Sequence, residues 1–240
     1  MLTKGRTVVN RKCTKKVLRH ILEQNLNIEV VMENMNEMRR MNRIYGYVAV
    51  MHAVPDALAV DVYADNTLIA ENLAFGTYTN YIKVPAQSYQ ITVYVSGTRM
   101  NPVITKMLIV GKGEFLTAVA VGTIATIDLV AIEDADVPRI EDKALIRFAH
   151  LSPNAPAVDI TLPDGTKLFS DVTFKEVTEY IAVDQMNYTL QVRLAGTDTM
   201  VLVVPNVNVR NNNYYTVYAV GLVGQQPELE ALLVQDGEIK

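Results

Sequence analysis

From residue 45 onward the chain alternates apolar and polar side chains in short bursts separated by turn residues. In the first half these bursts predict strands near 45–52, 59–64, 67–70, 78–84, 88–96, 103–110, 115–122 and 127–132, dominated by Val, Ile, Thr and Tyr. A second set follows near 144–150, 158–162, 167–170, 177–183, 187–194, 200–204, 214–221 and 229–234. The leader has another period. Val17, Leu18, Ile21 and Leu22 recur at spacings of three and four, and Ile28, Val31, Met32, Met35 and Met38 resume the stripe, predicting a helix from about Thr14. Asn25 and Asn27 weaken its middle, so one interrupted helix and two short ones both fit.

The two strand sets are one module written twice. Met51-His52-Ala53-Val54-Pro55-Asp56-Ala57-Leu58-Ala59-Val60-Asp61 returns 98 positions later as Ala149-His150-Leu151-Ser152-Pro153-Asn154-Ala155-Pro156-Ala157-Val158-Asp159. A turn at Pro163-Asp164-Gly165-Thr166 adds one residue, and the offset of 99 then pairs Phe75 with Phe174, Tyr81 with Tyr180 and Tyr89 with Tyr188. The charged, aperiodic segment Glu133–Lys143 reads as a short linker. The expected architecture is all-β: two tandem immunoglobulin-like β-sandwich domains preceded by an α-helical N-terminal leader. Its parts are a basic leader over 1–43, a first repeat over 44–135 and a second over 144–240; a small barrel is the second choice. Tyr89 and Tyr188 each open an alternating strand, where a tyrosine hydroxyl can bond backbone across a sandwich corner.

Charge and cysteine content refine this picture. Residues 1–43 hold ten Lys/Arg against four Glu, whereas the remainder holds twelve basic and twenty-two acidic residues. A basic leader on an acidic body suits contact with a neighbouring copy. The body offers neither a basic face nor a nucleic-acid-reading motif, so no nucleic-acid partner is expected. No apolar run reaches the ~18 residues of a transmembrane segment. The basic start, Met1-Leu2-Thr3-Lys4-Gly5-Arg6, leads into no apolar core or cleavage site, so a Sec signal peptide is not expected. Cys13 is the single cysteine, which excludes an intrachain disulfide and leaves a link between chains open.

Both copies resemble a bacterial family catalogued as domain of unknown function 4397. The resemblance rests on His52, Pro55, Asp56, Ala57, Val60 and Asp61, and on His150, Pro153, Asn154, Ala155, Val158 and Asp159. Leu73-Ala74-Phe75-Gly76, Tyr89-Gln90-Ile91-Thr92-Val93, Ala118-Val119-Ala120-Val121-Gly122 and Val217-Tyr218-Ala219-Val220-Gly221 extend it over roughly 44–237, but not into the leader. It implies secreted or surface-attached β-sandwich modules and no catalytic residues. Lys175 departs from the pattern, standing where the first repeat has Gly76.

The repeated motif is the main chemical candidate. His52 with Asp56 and Asp61, and His150 with Asn154 and Asp159, form a ligand-binding set of mixed donors. Neither repeat has the Cys or further His that a closed zinc site needs, and no metal site is assigned. The structural alternative takes precedence: the histidine ends a strand, and its ring bonds the following loop or the Asp of the next strand. Ser152, His150 and Asp159 resemble a hydrolase triad on paper, yet Val54 occupies the serine's place in the first repeat. No catalytic residue, cofactor or phosphate loop is assigned, and an enzyme is not expected. Carboxylates around 133–142 read as a solvated linker, and tyrosines 45, 47, 63, 78, 81 and 94 as packing residues rather than a sugar platform.

The resulting expectation is a non-enzymatic structural or adhesive surface-layer protein of a bacterial cell or spore (spore coat or exosporium). It would be made in the cytoplasm, without a Sec signal, and released by mother-cell lysis. Ile21, Leu22, Ile28, Val31, Met32, Met35 and Met38 would mediate self-assembly into a homo-oligomer, with other surface proteins or glycans as further partners. The competing class is a carbohydrate- or divalent-ion-binding module.

Overall fold

The computed structural model describes residues 44–239. The leader, its expected helix and its assembly residues Ile21, Leu22, Ile28, Val31, Met32, Met35 and Met38 lie outside them. Among the described residues there is no helix, and the fold is all-β, with sixteen strands in four sheets.

The first repeat comprises β1 (Tyr45–Ala53), β2 (Val60–Ala64), β3 (Thr67–Leu73), β4 (Ile82–Pro85), β5 (Ser88–Val95), β6 (Ile104–Ile109), β7 (Phe115–Val121) and β8 (Asp128–Asp134). The second comprises β9 (Ala144–His150), β10 (Val158–Thr161), β11 (Lys167–Val172), β12 (Ile181–Val183), β13 (Met186–Leu194), β14 (Met200–Val209), β15 (Tyr214–Val220) and β16 (Glu230–Asp236). Each repeat is sandwich-like, with outer sheets ordered β3-β2-β5-β6 and β11-β10-β13-β14 and inner sheets ordered β4-β1-β7-β8 and β12-β9-β15-β16. At the centre of each inner sheet two strands run parallel, β1 beside β7 and β9 beside β15. An antiparallel immunoglobulin sheet lacks this pair. The long connection between β1 and β7, which passes through the outer sheet, makes it possible.

The inner strands explain why periodicity fades there. Every residue of β9 and β15 is buried, as is every residue of β1 and β7 after the first. Strands covered on both faces read as continuous apolar runs instead of alternating ones. In β1, Val48 and Val50 face the core of their own sandwich, with Val62, Ile91 and Ala118, whereas Met51 and Ala53 face the opposite way. There they join Val119, Val121, Ala149, Leu151, Tyr218 and Val220 in a third core, shared by the two repeats. Ile146, Phe148, Ile160, Leu190 and Val217 fill the second sandwich. Residues from Tyr45 onward accordingly cluster as one compact unit.

Several strand boundaries differ from the sequence expectation. β4 and β12 are shorter than predicted, because Tyr78 and Val177 make only isolated bridges to Met51 and Ala149. Beside those bridges the hydroxyls of Thr79 and Thr178 accept from the backbone N–H of Val50 and Phe148, each at 3.0 Å, in place of a ladder bond. β14 runs on to Val209 past Pro205 and Asn206 (φ 62°), and a register shift between Tyr188 and Leu190 of β13 absorbs the irregularity. The supposed linker begins later than its charges suggest: β8 extends to Asp134 and buries that carboxylate.

Candidate functional site

The repeated motif sits where β1 leaves the inner sheet for β2, and where β9 leaves for β10. His52 and His150 are fully buried. His52 Nδ1 accepts from the Val54 backbone N–H at 3.2 Å, which places the proton on Nε2, and Nε2 donates to the Leu58 carbonyl at 3.0 Å. His150 Nε2 meets the Pro156 carbonyl at 3.1 Å in the same way. Burial lowers both pKa values, against a smaller opposing effect from those carbonyl bonds, so the rings are neutral at pH 7. Phe75 and Phe174 close each ring from the edge, 6.4 Å between centroids.

The acidic residues point elsewhere. Asp56 accepts from the Ile124 backbone N–H at 2.9 Å, tying the β1–β2 loop to the turn after β7. Asn154 does the same in the second repeat, accepting from Val223 N–H at 2.9 Å and donating to the Val223 carbonyl at 3.1 Å. Thus the lost carboxylate is replaced by an amide able to bond both backbone groups. Asp61 accepts from Asn72 N–H at 2.8 Å and Gly97 N–H at 2.9 Å, both at positive-φ residues. Those bonds hold its pKa below the usual carboxylate value. Asp159 accepts from Asp171 and Gly196 N–H and additionally from Lys167 Nζ at 2.6 Å.

Loop carbonyls and backbone amides are therefore the main partners of the motif's His, Asp and Asn residues, with Lys167 added at Asp159 and a long 3.4 Å bond from Ser152 Oγ at Asn154. Neither Asp61 nor Asp159 bonds the histidine of its repeat. Among the described residues no group of three His, Cys, Asp or Glu is arranged to hold a metal ion. Ser152 Oγ donates to the Gly221 carbonyl at 2.7 Å, stapling the same turn as Asn154. The two corner tyrosines act as their position suggests: Tyr89 and Tyr188 donate to the carbonyls of Pro85 at 2.8 Å and Asp184 at 3.0 Å.

A second polar cluster lies between the repeats, and sequence reasoning missed it. Arg147 enters the junction from β9, 4% exposed. Its Nη2 pairs with Asp134 Oδ1, its Nη1 donates to the Glu133 carbonyl at 2.7 Å, and its Nε donates to Thr216 Oγ1 at 2.8 Å. The guanidinium also lies 4.4 Å from the centroid of the Tyr180 ring, a cation–π distance. Tyr81 and Thr117 donate to Asp134 Oδ2 at 2.8 and 2.6 Å; Tyr180 and Thr216 donate to Asp236 Oδ2 at 2.8 and 2.6 Å. Two cross-repeat bonds complete the frame, from Ala135 N–H to Tyr180 and from Gly237 N–H to Tyr81. One signal was present in the sequence: Arg147 interrupts the apolar run Ala144-Leu145-Ile146-Arg147-Phe148, where the first repeat has Ala49. A charge inside a strand buried on both faces needs a partner.

A smaller contact crosses the same junction. Lys175 holds φ 72° where Gly76 holds 73°, and its ammonium reaches Asp128 at 3.1 Å. Asp128 also binds Lys106 Nζ at 2.9 Å, and this hydrogen bond, with the Lys175 ammonium, lowers its carboxyl to about 2.

Fold and junction together define a tandem β-sandwich-like protein whose two modules share one buried, ion-paired face. The family model described as Domain of unknown function (DUF4397) matches residues 46–161 and 162–239, and the chain belongs to that family. Among curated proteins nothing matches the chain. Among solved structures it is similar to CBMbc (family CBM26) from Eubacterium rectale Amy13K in complex with maltoheptaose, at 12% identity and a TM-score of 0.24, over 80% of this chain and 96% of that one.

Proposed function

We propose that this protein is a non-enzymatic structural or adhesive component of a bacterial cell or spore surface, built from two β-sandwich-like modules, with the leader joining copies. The observation that carries this reading is the use to which the residues of the repeated motif are put. His52, Asp56 and Asp61, and their counterparts His150, Asn154 and Asp159, spend their hydrogen bonds on turns of their own module. What the chain repeats is a building element. A shared apolar core and a buried ion pair then lock two such elements at one angle, as a load-transmitting or spacing unit requires.

Two measurements test it. Fractionation with an antibody to this protein should place it with purified spores or cell envelopes, and recovery from vegetative cytosol alone would defeat the surface reading. Deleting residues 1–43 should leave the β-body folded and lower the particle mass in light scattering; an unchanged mass would defeat leader-driven assembly. The rival, a glycan- or divalent-ion-binding module, predicts a melting temperature raised by a glycan or cation, because a ligand selective for the folded state must stabilise it. That rise should vanish when His52 and His150 are replaced together.

A further inference from the structure

The junction has an internal two-fold correspondence that one residue breaks. Arg147 stands opposite Thr216 in the β9–β15 pair; Ala49 stands opposite Thr117 in the β1–β7 pair. Each group that Arg147 touches has a counterpart around Ala49. Thr216 answers to Thr117 and Tyr180 to Tyr81 at the offset of 99, and the strand registers match the Glu133 backbone to Gln235 and Asp134 to Asp236. At the Ala49 position there is a cavity of about 40 Å³, lined by Ala49, Tyr81, Thr117, Tyr218 and Gln235, with the exposed carboxylate Glu238 at its rim. That is room for more than one water-sized group.

Two buried polar atoms, one lining the cavity and one on the residue that follows the cavity-lining Gln235, have no hydrogen-bond partner among the described residues. One is the hydroxyl of Tyr218, a cavity-lining residue that is 1% exposed. The other is Asp236 Oδ1, the counterpart of the Asp134 oxygen that Arg147 takes. Unpartnered buried oxygens are costly, and both of these atoms accept hydrogen bonds. The charges point the same way: two buried carboxylates, Asp134 and Asp236, face a single arginine. Burial, and next the neighbouring Asp134 charge, push the Asp236 carboxyl up to about 7, as expected of a carboxylate short of a cation.

We propose that the cavity beside Ala49 is a binding site for a guanidinium group, carried by an arginine side chain of another polypeptide or by a small guanidinium compound. Such a group would repeat the Arg147 arrangement, donating to Thr117, the Gln235 carbonyl and Asp236 while lying over the Tyr81 ring. Planar donors in a fixed fork suit this acceptor set better than an ammonium does. The site is independent of the surface-module reading and stands or falls separately.

The test uses the full chain, with calorimetric titration of methylguanidinium, blocked arginine (N-acetyl-arginine amide) and free arginine, against methylammonium at matched ionic strength. Saturable binding of methylguanidinium near about 1 mM, tighter than methylammonium, is expected. Blocked arginine binding better than free arginine assigns the source to a polypeptide, because Glu238 repels a free α-carboxylate; the reverse order assigns it to a small compound. Asp236→Asn should weaken binding about tenfold or more. Ala49→Arg should abolish binding and raise the melting temperature by supplying the group from within. No saturable binding up to about 50 mM, an unchanged affinity in Asp236→Asn, or an Ala49→Arg protein that melts lower or fails to fold would overturn the proposal.

Discussion

Arg147 in the second repeat and Ala49 in the first hold equivalent places, opposite Thr216 and Thr117, yet one carries a guanidinium and the other a methyl group. Lys175 and Gly76 differ likewise, and the Lys175 ammonium reaches Asp128 just as Arg147 reaches Asp134. In both pairs the second repeat supplies the cation and the first the carboxylate. The histidine motif teaches the opposite lesson, since its changes, such as Asp56 to Asn154, preserve the same backbone bond. Inside a module the motif's backbone bonds are the same in both repeats. Across the junction the repeats are complementary, so two first repeats could not replace one of each.

The sharpest way to break that comparison is Arg147→Met. It leaves Asp134 buried without its cation, and a loss of about 3–5 kcal/mol in urea unfolding is expected, with much of it recovered in the double variant Arg147→Met, Asp134→Asn. If the single and double variants lose equally, the pair contributes nothing beyond packing. A smaller effect should follow from removing the equivalent turn carboxylates. Asp61→Ala and Asp159→Ala each strip the acceptor from two backbone N–H groups, at about 1–3 kcal/mol. Thermal melts with Lys167→Met as background should make the two losses alike, because Lys167 is the main difference between the sites.

Next comes Asp236, whose carboxyl is pushed up to about 7. Between the ordinary carboxylate value and about 7 the folded state keeps a proton that the unfolded chain has released, so this residue lowers stability as pH rises through that window. Asp236→Asn should flatten the fall from about pH 4 to 7 and leave the variant on the order of 1 kcal/mol more stable at pH 8. Chemical unfolding across pH gives the difference curve, and a curve sloping the other way would refute the assignment. The smallest effect is at Lys175. Replacing it by Gly relieves a left-handed backbone worth about 1 kcal/mol and removes a half-exposed ion pair worth less, giving a change within about 0.5 kcal/mol, whereas Ala keeps the strain and loses the pair.

Much of this was legible in the amino-acid pattern. Alternation located the outer strands, the offsets of 98 and 99 aligned the repeats, and Tyr89 and Tyr188 announced their corner bonds. The histidine's partner was half legible: the ring does bond the loop behind it, but the carbonyl at Leu58 or Pro156 carries no mark in sequence. The junction was hidden for two reasons. Its apolar half, with Met51, Val119 and Tyr218, belongs to strands whose two buried faces erase the period that would have separated them. Its polar half begins at Asp134, which looks like one charge among many in a solvated segment, and finds Arg147 only after the chain turns back. Long-range charge pairing has no local signature.

Strands buried on both sides carry a consequence for synthesis. A ribosome delivers the first repeat before the second, and about a hundred further residues take on the order of 5–20 s to emerge. For that interval Met51, Val119, Val121 and Ile132 form an uncovered apolar face, and Asp134 has no arginine to meet. Two nascent chains meeting then would offer each other the same sticky, uncompensated surface. The short run from Ala135 to Lys143 tethers the proper cover to the face it must close, at an effective concentration in the millimolar range. Such tethering favours closure of each chain by its own second half over pairing between chains.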